Sequence, residues 1–198
     1  MNWEKLYSFT GKTIRHIHLI QYDSFSNKLW FSTGDKDLEC LMGFTDFDFS
    51  KIRLIGKGDQ SWRTLEILFE KDKIFWGTEN PNGCNHLISL DRQTNKQYLL
   101  GKFSAPIYSL KKISCGYLAL TPVEYGVGDI DKKAHVWFSS RLDSGNWNKT
   151  LSYKKDQFPL IFGFGRLSFA GEIGDMLFFS AQCLKDVDNS TIILRKQQ

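Results

Sequence analysis

Several things are scarce in this 198-residue chain. It has four prolines and no low-complexity segment. Nor does any apolar run come near the roughly 18 residues that a membrane-spanning helix needs. The opening residues, MNWEKLYSFTGK, lack the apolar stretch of a secretory signal, so a cytoplasmic location without a membrane partner is expected. The cysteines Cys40, Cys84, Cys115 and Cys183 stand far apart with no Cys-x-x-Cys pair. That removes zinc-finger spacing and leaves reduced thiols as the expectation, with the Asn-x-Thr sequences at Asn148 and Asn189 occurring by chance. Neither sign of charge dominates. The 26 Lys and Arg exceed the 22 Asp and Glu by four and are evenly scattered, so nucleic acid is not an expected partner. No Ser-His-Asp order, nucleophile elbow or phosphate loop is visible, and no cysteine has the basic flanks that would activate it.

What is present is apolar and aromatic: 41% of residues are hydrophobic and 15% aromatic, enough for a substantial core. Helical periodicity is hard to find; short β-branched and aromatic runs separated by Gly, Asn and Asp take its place. Four runs share one form: KLWFSTGD (28–35), KIFWGTEN (73–80), YLALTPVE (117–124) and DMLFFSAQ (175–182). Each is an apolar strand that reaches a small residue or Thr and then turns polar. They recur every 45–58 residues or so, a period typical of propeller blades. A strand and a tight turn precede each run (TIRHIHLIQYD, SWRTLEILFE, APIYSLKKIS, GRLSFAGE), and a third strand follows (LECLMGF, NHLISLD, HVWFSS, TIILRK). Three repeats add a fourth strand: KIRLIG, KQYLLG and NWNKTLSY. The expected fold is an all-β propeller of four four-stranded antiparallel blades, one domain over residues 1–198.

The last repeat ends without a fourth strand, and the opening phrase NWEKLYSF is similar to NWNKTLSY. The N-terminal strand is therefore expected to complete the last blade, since an open sheet edge invites aggregation. Two closures fit: a ring closed by this chain alone, the more economical, or the C-terminal part of a larger propeller, with self-association if one chain does not close the ring.

The stretch SSRLDSGNWNK (139–149) resembles the Asp-box hairpin of BNR and sialidase-like propellers, with Asp143, Gly145 and Trp147 in order, the Trp one residue early and the Ser displaced. FTDFDFSKIRLIG and SLDRQTNKQYLLG are fainter versions. In that family the box is a peripheral turn, so the resemblance implies fold rather than activity. It also implies an arginine cluster for an anionic sugar, a Tyr–Glu nucleophile pair, here Tyr108 with Glu124 or Glu79, and an acid, here Asp35.

The first strand of each propeller blade lines the channel, and similar positions there hold His16, Arg63, Tyr108 and Arg166, with Arg15 beside the first. Guanidinium groups facing one mouth suit a carboxylate or sulfate. The acidic residues Asp35, Glu79 and Glu124 recur at the ends of the second strands, where pairing with the arginines would neutralise both sets. His16 and His18 are two apart on a strand and share a face. With Asp35 they match a two-His, one-carboxylate pattern, although channel-lining histidines are the simpler expectation and no metal or other cofactor is assigned. Gln60, Trp62 and Arg63 combine an aromatic face with fixed donors, as a sugar-binding surface does. The loop YGVGDIDKKA (125–134) is the longest connection and is expected to form part of a binding rim. The reading reached from sequence is a propeller that binds an acidic or neutral glycan, or another small anion, through Arg15, His16, His18, Gln60, Trp62, Arg63, Glu79 and Arg166. The alternatives are a sialidase-like enzyme using Tyr108, Glu124 and Asp35, and a protein-interaction scaffold.

Overall fold

Each of the four runs that reach a small residue or Thr is the second strand of its own antiparallel sheet in the computed structural model, which describes residues 3–9, 14–171 and 174–195. The first blade holds β1 (Ile17–Asp23), β2 (Lys28–Thr33), β3 (Leu41–Thr45) and β4 (Arg53–Lys57). The second holds β5 (Ile67–Phe69), β6 (Lys73–Gly77), β7 (Asn85–Asp91) and β8 (Gln97–Phe103). In the third are β9 (Ser109–Ile113), β10 (Gly116–Thr121), β11 (Lys133–Ser139) and β12 (Asn148–Lys154). The fourth has β13 (Arg166–Phe169), β14 (Met176–Gln182) and β15 (Thr191–Arg195). Every sheet runs in sequence order, strand beside next strand, which is the blade of a β-propeller. The protein is a four-bladed β-propeller. Among the described residues no helix is long and apolar enough to cross a membrane.

The terminal Thr of the repeated runs has a structural use. Thr33 and Thr78 are buried, and each hydroxyl accepts an amide at the start of the next strand, from Leu41, the first residue of β3, and His86, the second of β7. The hydroxyl thereby satisfies a backbone donor at a corner where the ladder begins again. The second strands of the first three blades are buried on both faces, as in KLWFST, and β14 is half-buried, whereas the fourth strands β4, β8 and β12 are mostly exposed.

The blades are joined by three apolar clusters. Trp30, Met42, Ile67, Ile74, Trp76 and Ile88 fill the seam between blades one and two. Phe75, Phe103, Ile107, Leu110 and Trp137 fill the next, and Leu118, Val136, Leu167, Phe179 and Leu184 the third. Each fully buried side chain of this kind contributes roughly 1.5–3 kcal/mol. Polar ties between adjacent first strands fix the spacing. The Gln21 amide donates to the Ile67 carbonyl at 2.7 Å and accepts from its N–H at 3.0 Å. Glu66 accepts from Ser109 Oγ at 2.6 Å and from Leu110 N at 2.8 Å.

The opening phrase does not take the position expected of it. Asn2 lies outside the described residues, and Trp3–Phe9 pairs with no strand, so the fourth sheet has three strands among the described residues. The segment lies on the first blade instead: the Tyr7 ring stacks on Phe49 with centroids 6.0 Å apart, and Phe9 meets Phe31 at 5.8 Å. Tyr7 and Phe9 thus pack on the first blade, while Trp3 is 90% exposed.

Asp23 is fully buried and bridges blades one and two. It accepts from Arg92 at 2.7 and 3.1 Å and from the Phe25 amide, while Arg92 also donates to the Glu70 carbonyl. Burial opposes ionisation of Asp23, but Arg92 and the hydroxyl of Ser26 hold its pKa below the ordinary carboxylate value. A depressed pKa adds stability that is present above the unfolded pKa and lost as pH falls through the folded one. Asp23→Ala leaves Arg92 unpaired and is expected to cost about 3–5 kcal/mol near neutrality. Urea unfolding should show that deficit narrowing below about pH 4; a deficit independent of pH would rule out the ion pair as its source.

Candidate functional site

The four inner positions and the acidic ends of the second strands converge at one mouth of the channel, where first strands begin and second strands end. They sort by blade. The first brings His16, His18 and Asp35, the second Arg63 and Glu79, the third Tyr108 and Glu124, and the fourth Arg166 with Gln182.

The centre is the pair Arg63–Glu79. Both residues are buried, and Arg63 donates from Nε at 3.0 Å and from Nη2 at 2.7 Å, a two-pronged guanidinium–carboxylate bond. Arg63 reaches back to blade one, donating from Nη1 to the Asp35 carbonyl at 3.2 Å. On the other side of Glu79 stands His18, whose Nδ1 is 2.8 Å from Oε2. Burial alone would lower the pKa of His18; the hydrogen bond and charge of Glu79, with the carbonyl of Gly34, more than offset this and hold it above the ordinary value. Blades one and two are thus locked by a chain of alternating charges. Their arginine is committed to a carboxylate of its own blade, as the recurrence of acids at the second-strand ends suggested.

Blade three is different. The buried Glu124 has no strong cation: its Oε2 has no hydrogen-bond partner, and the Tyr108 hydroxyl lies beside its carboxyl. Burial first, then the charge of Glu79, pushes its pKa up to about 7, against a smaller opposing effect of Arg63. Burial likewise raises the Tyr108 hydroxyl far above its usual value, with Glu124 and Glu79 adding to the effect. Arg166 is exposed, and its Nε donates to the neutral Gln182 Oε1 at 2.7 Å.

The other predicted residues have clear places. Arg15 sits at the rim, 3.5 Å from Glu39. Gln60, on a 3₁₀ turn (Gln60–Trp62), donates to the Asp35 carbonyl at 3.0 Å and to Asp37 at 2.9 Å. Trp62 lies flat on Gly56, where a β-carbon would stand 1.9 Å from its ring, and stacks on Trp76 with centroids 5.8 Å apart. Its faces are therefore used in packing. Trp147 of the Asp-box-like hairpin meets Phe103 at 5.4 Å, and the hairpin is a turn between β11 and β12.

The long loop is pinned down. Gly128 donates to the Pro81 carbonyl at 2.8 Å, and a β-carbon on it would come within 2.2 Å of the Asn80 carbonyl. Asp129, missed in sequence, is buried and accepts from the amides of Glu124 and Lys132. Asn85 holds the same corner from blade two, donating to the carbonyls of Asn80 and Gly128. The signal for Asp129 was its position in a Gly-rich loop next to Glu124, a weak one.

A raised carboxyl pKa means that the folded state holds the proton more tightly. The corresponding stability is fully present below the unfolded pKa and is lost as pH rises from about 4.5 to 7. Glu124→Gln is therefore expected to be more stable than the parent at pH 8, by up to about 3 kcal/mol, with little difference near pH 4.5. Urea denaturation at the two pH values checks this; equal differences at both would refute the buried, uncompensated carboxyl.

No family model matches the chain, and neither does any curated protein. Among solved structures the fold is similar to a chain in the crystal structure of a nidogen/laminin complex, with a TM-score of 0.54 and 10% sequence identity. The likeness covers 82% of this chain and 54% of that one, so this chain spans about half the length of its neighbour. At that identity the likeness concerns the fold alone.

Proposed function

We propose that this propeller is a non-catalytic binding protein that docks an apolar surface of a partner protein on the face surrounding the channel mouth. The observation that carries this reading is the distribution of exposed apolar side chains. The loops that lead into the first strands and out of the second strands expose Leu38, Tyr125, Val127, Ile130, Phe158, Ile161 and Phe162, with Ile161 and Phe162 more than three-quarters accessible. The opposite loops, in the first and third turns of the blades, expose Phe25 and Phe47, and the N-terminal segment whose Tyr7 stacks on Phe49 in such a turn exposes Trp3, Leu6 and Tyr7, five such residues against seven around the mouth. Concentration of large apolar groups on one face of a rigid scaffold marks a contact surface. The neighbour's presence in a protein complex is in keeping with this use of the fold. Since Arg63 is bound to Glu79, the centre of the mouth serves to hold blades rather than to clamp an anion.

A second reading, recognition of an acidic glycan, is favoured by one observation: Arg166 makes no ion pair among the described residues and is exposed. A sialidase-like reaction would use Tyr108, Glu124 and Asp35, yet it also needs more than one free guanidinium, which the Arg63–Glu79 pair does not supply.

The paired variant Ile161→Asp/Phe162→Asp, compared with Phe25→Asp/Phe47→Asp on the far face, separates the readings. Cross-linking in extract of the source cell, read by mass spectrometry, should lose its partners in the first variant and keep them in the second, with both retaining the parent's melting temperature. Partners retained by the mouth variant would overturn the docking reading. A glycan array probed with the parent and Arg166→Ala tests the second reading: sialylated or sulfated glycans bound by the parent and lost by the variant would install it in place of the first.

A further inference from the structure

We propose that His16, His18 and Asp35 bind a divalent transition-metal ion at the channel mouth, with Glu79 orienting the ligand set. This goes beyond the docking surface and does not depend on it. One ligand atom from each of the three residues lies within 4.8 Å of the others. His16 Nδ1 is 3.5 Å from Asp35 Oδ2, and His18 Nε2 is 3.6 Å from Asp35 Oδ1. Zinc bonds of about 2.0–2.2 Å at tetrahedral angles place neighbouring ligand atoms roughly 3.3 Å apart. The two distances run to different oxygens of Asp35, and with one ligand atom per residue the spread is at most 4.8 Å. Closing the site around an ion therefore takes side-chain rotations that shorten the widest separation by up to about 1.5 Å.

The backbone contributes to this arrangement. The register of β1 against β2 shifts between Ile17 and Leu19, a bulge at His18. Bulges re-aim the side chains they carry. Here the His16 and His18 rings lie side by side, with centroids 4.5 Å apart and planes 30° apart. The third ligand comes from the turn just after β2.

What distinguishes this cluster from a chance grouping of side chains is the support behind it. The His18 nitrogen turned away from Asp35, Nδ1, is 2.8 Å from Glu79 Oε2. Glu79 is itself fixed by the two hydrogen bonds from Arg63. A carboxylate on the outer nitrogen of a ligating imidazole fixes the tautomer and raises ligand basicity. With both imidazoles neutral, Asp35 and Glu79 against Arg63 leave one net negative charge for a cation to meet. His18 Nε2 is hydrogen-bonded to the Gly34 carbonyl at 2.5 Å, so the ring must turn from that carbonyl toward Asp35 to take an ion. His16 is about half exposed on its side chain, so a coordination position faces solvent. Two nitrogens and one carboxylate suit zinc or ferrous iron and disfavour calcium.

The test is calorimetric titration of the full chain with zinc chloride, and visible spectroscopy with cobalt(II) chloride. One zinc per chain is expected, with a cobalt d–d spectrum that lacks the near-ultraviolet band of thiolate ligation. His16→Ala and Asp35→Asn, both at partly exposed positions, should each weaken zinc at least tenfold while the circular dichroism stays that of the parent. Cys84→Ser/Cys115→Ser removes the two exposed thiols and should leave the affinity unchanged. Absence of zinc binding by the parent overturns the proposal. So does an affinity that His16→Ala and Asp35→Asn leave intact, or one lost with the two cysteines.

Discussion

No blade of this protein can bury its own faces. A four-stranded sheet exposes two sides, and each becomes a core only when the next blade covers it. The three apolar clusters are therefore shared property: Trp30 and Trp76 come from different sheets and one seam, as do Phe103 and Trp137. That constraint explains where polarity is allowed. Between first strands, where backbone groups approach without pairing directly, Gln21 and Glu66 supply the missing partners. At the mouth, where second strands run out of apolar neighbours, the charged pairs begin.

Those charged pairs are unevenly resolved. The first two blades contribute both signs, and Arg63 finishes the account with Glu79 and Asp35. The third contributes an acid and a phenol but no base, and the fourth a base held by a neutral amide. Had Glu124 and Arg166 met, the mouth would be closed electrostatically all round. Instead it has a locked half, blades one and two, and an unlocked half, blades three and four. The apolar loop side chains Tyr125, Ile161 and Phe162 gather on the unlocked half.

The rhythm of the fold was written plainly in the sequence, because every blade ends its second strand in the same way and period-two strands leave an unambiguous trace. NHLISLD is β7 from end to end, and SFSN is the first hairpin loop. The inner positions His16, Arg63, Tyr108 and Arg166 were also readable, since equivalent places in repeats occupy equivalent places in space. That acids at the second-strand ends pair with the arginines was also readable; which acid meets which arginine was not. That Arg63 pairs with Glu79 while Arg166 meets only Gln182 depends on distances of a few ångströms, and no periodicity encodes that. The opening NWEKLYSF failed as a guide for a related reason: likeness to NWNKTLSY reports strand-forming composition, not the sheet a strand joins. Trp62 looked like a sugar platform because its neighbour Gly56 leaves no trace of the ring that covers it.

The long loop between β10 and β11 changes how the rim responds to force. Gly128 rests on the backbone of Asn80, Ile130 is bonded to Ser104, and Asn85 holds the loop's carbonyl from beneath. A loop that belongs by sequence to the third blade is thus fastened to the second. Load applied to Tyr125 or Val127 is carried into two sheets rather than one, so this sector behaves mechanically as a single plate. The loop Phe158–Phe162 joins β12 of the third blade to β13 of the fourth, and the Asp156 amide just before it donates to the Cys183 carbonyl of the last blade. Just beyond it Gly165 accepts from the Val123 amide and Phe164 meets the Tyr125 ring, so the two sides of the apolar face are coupled where the third blade's long loop meets the entry to the fourth.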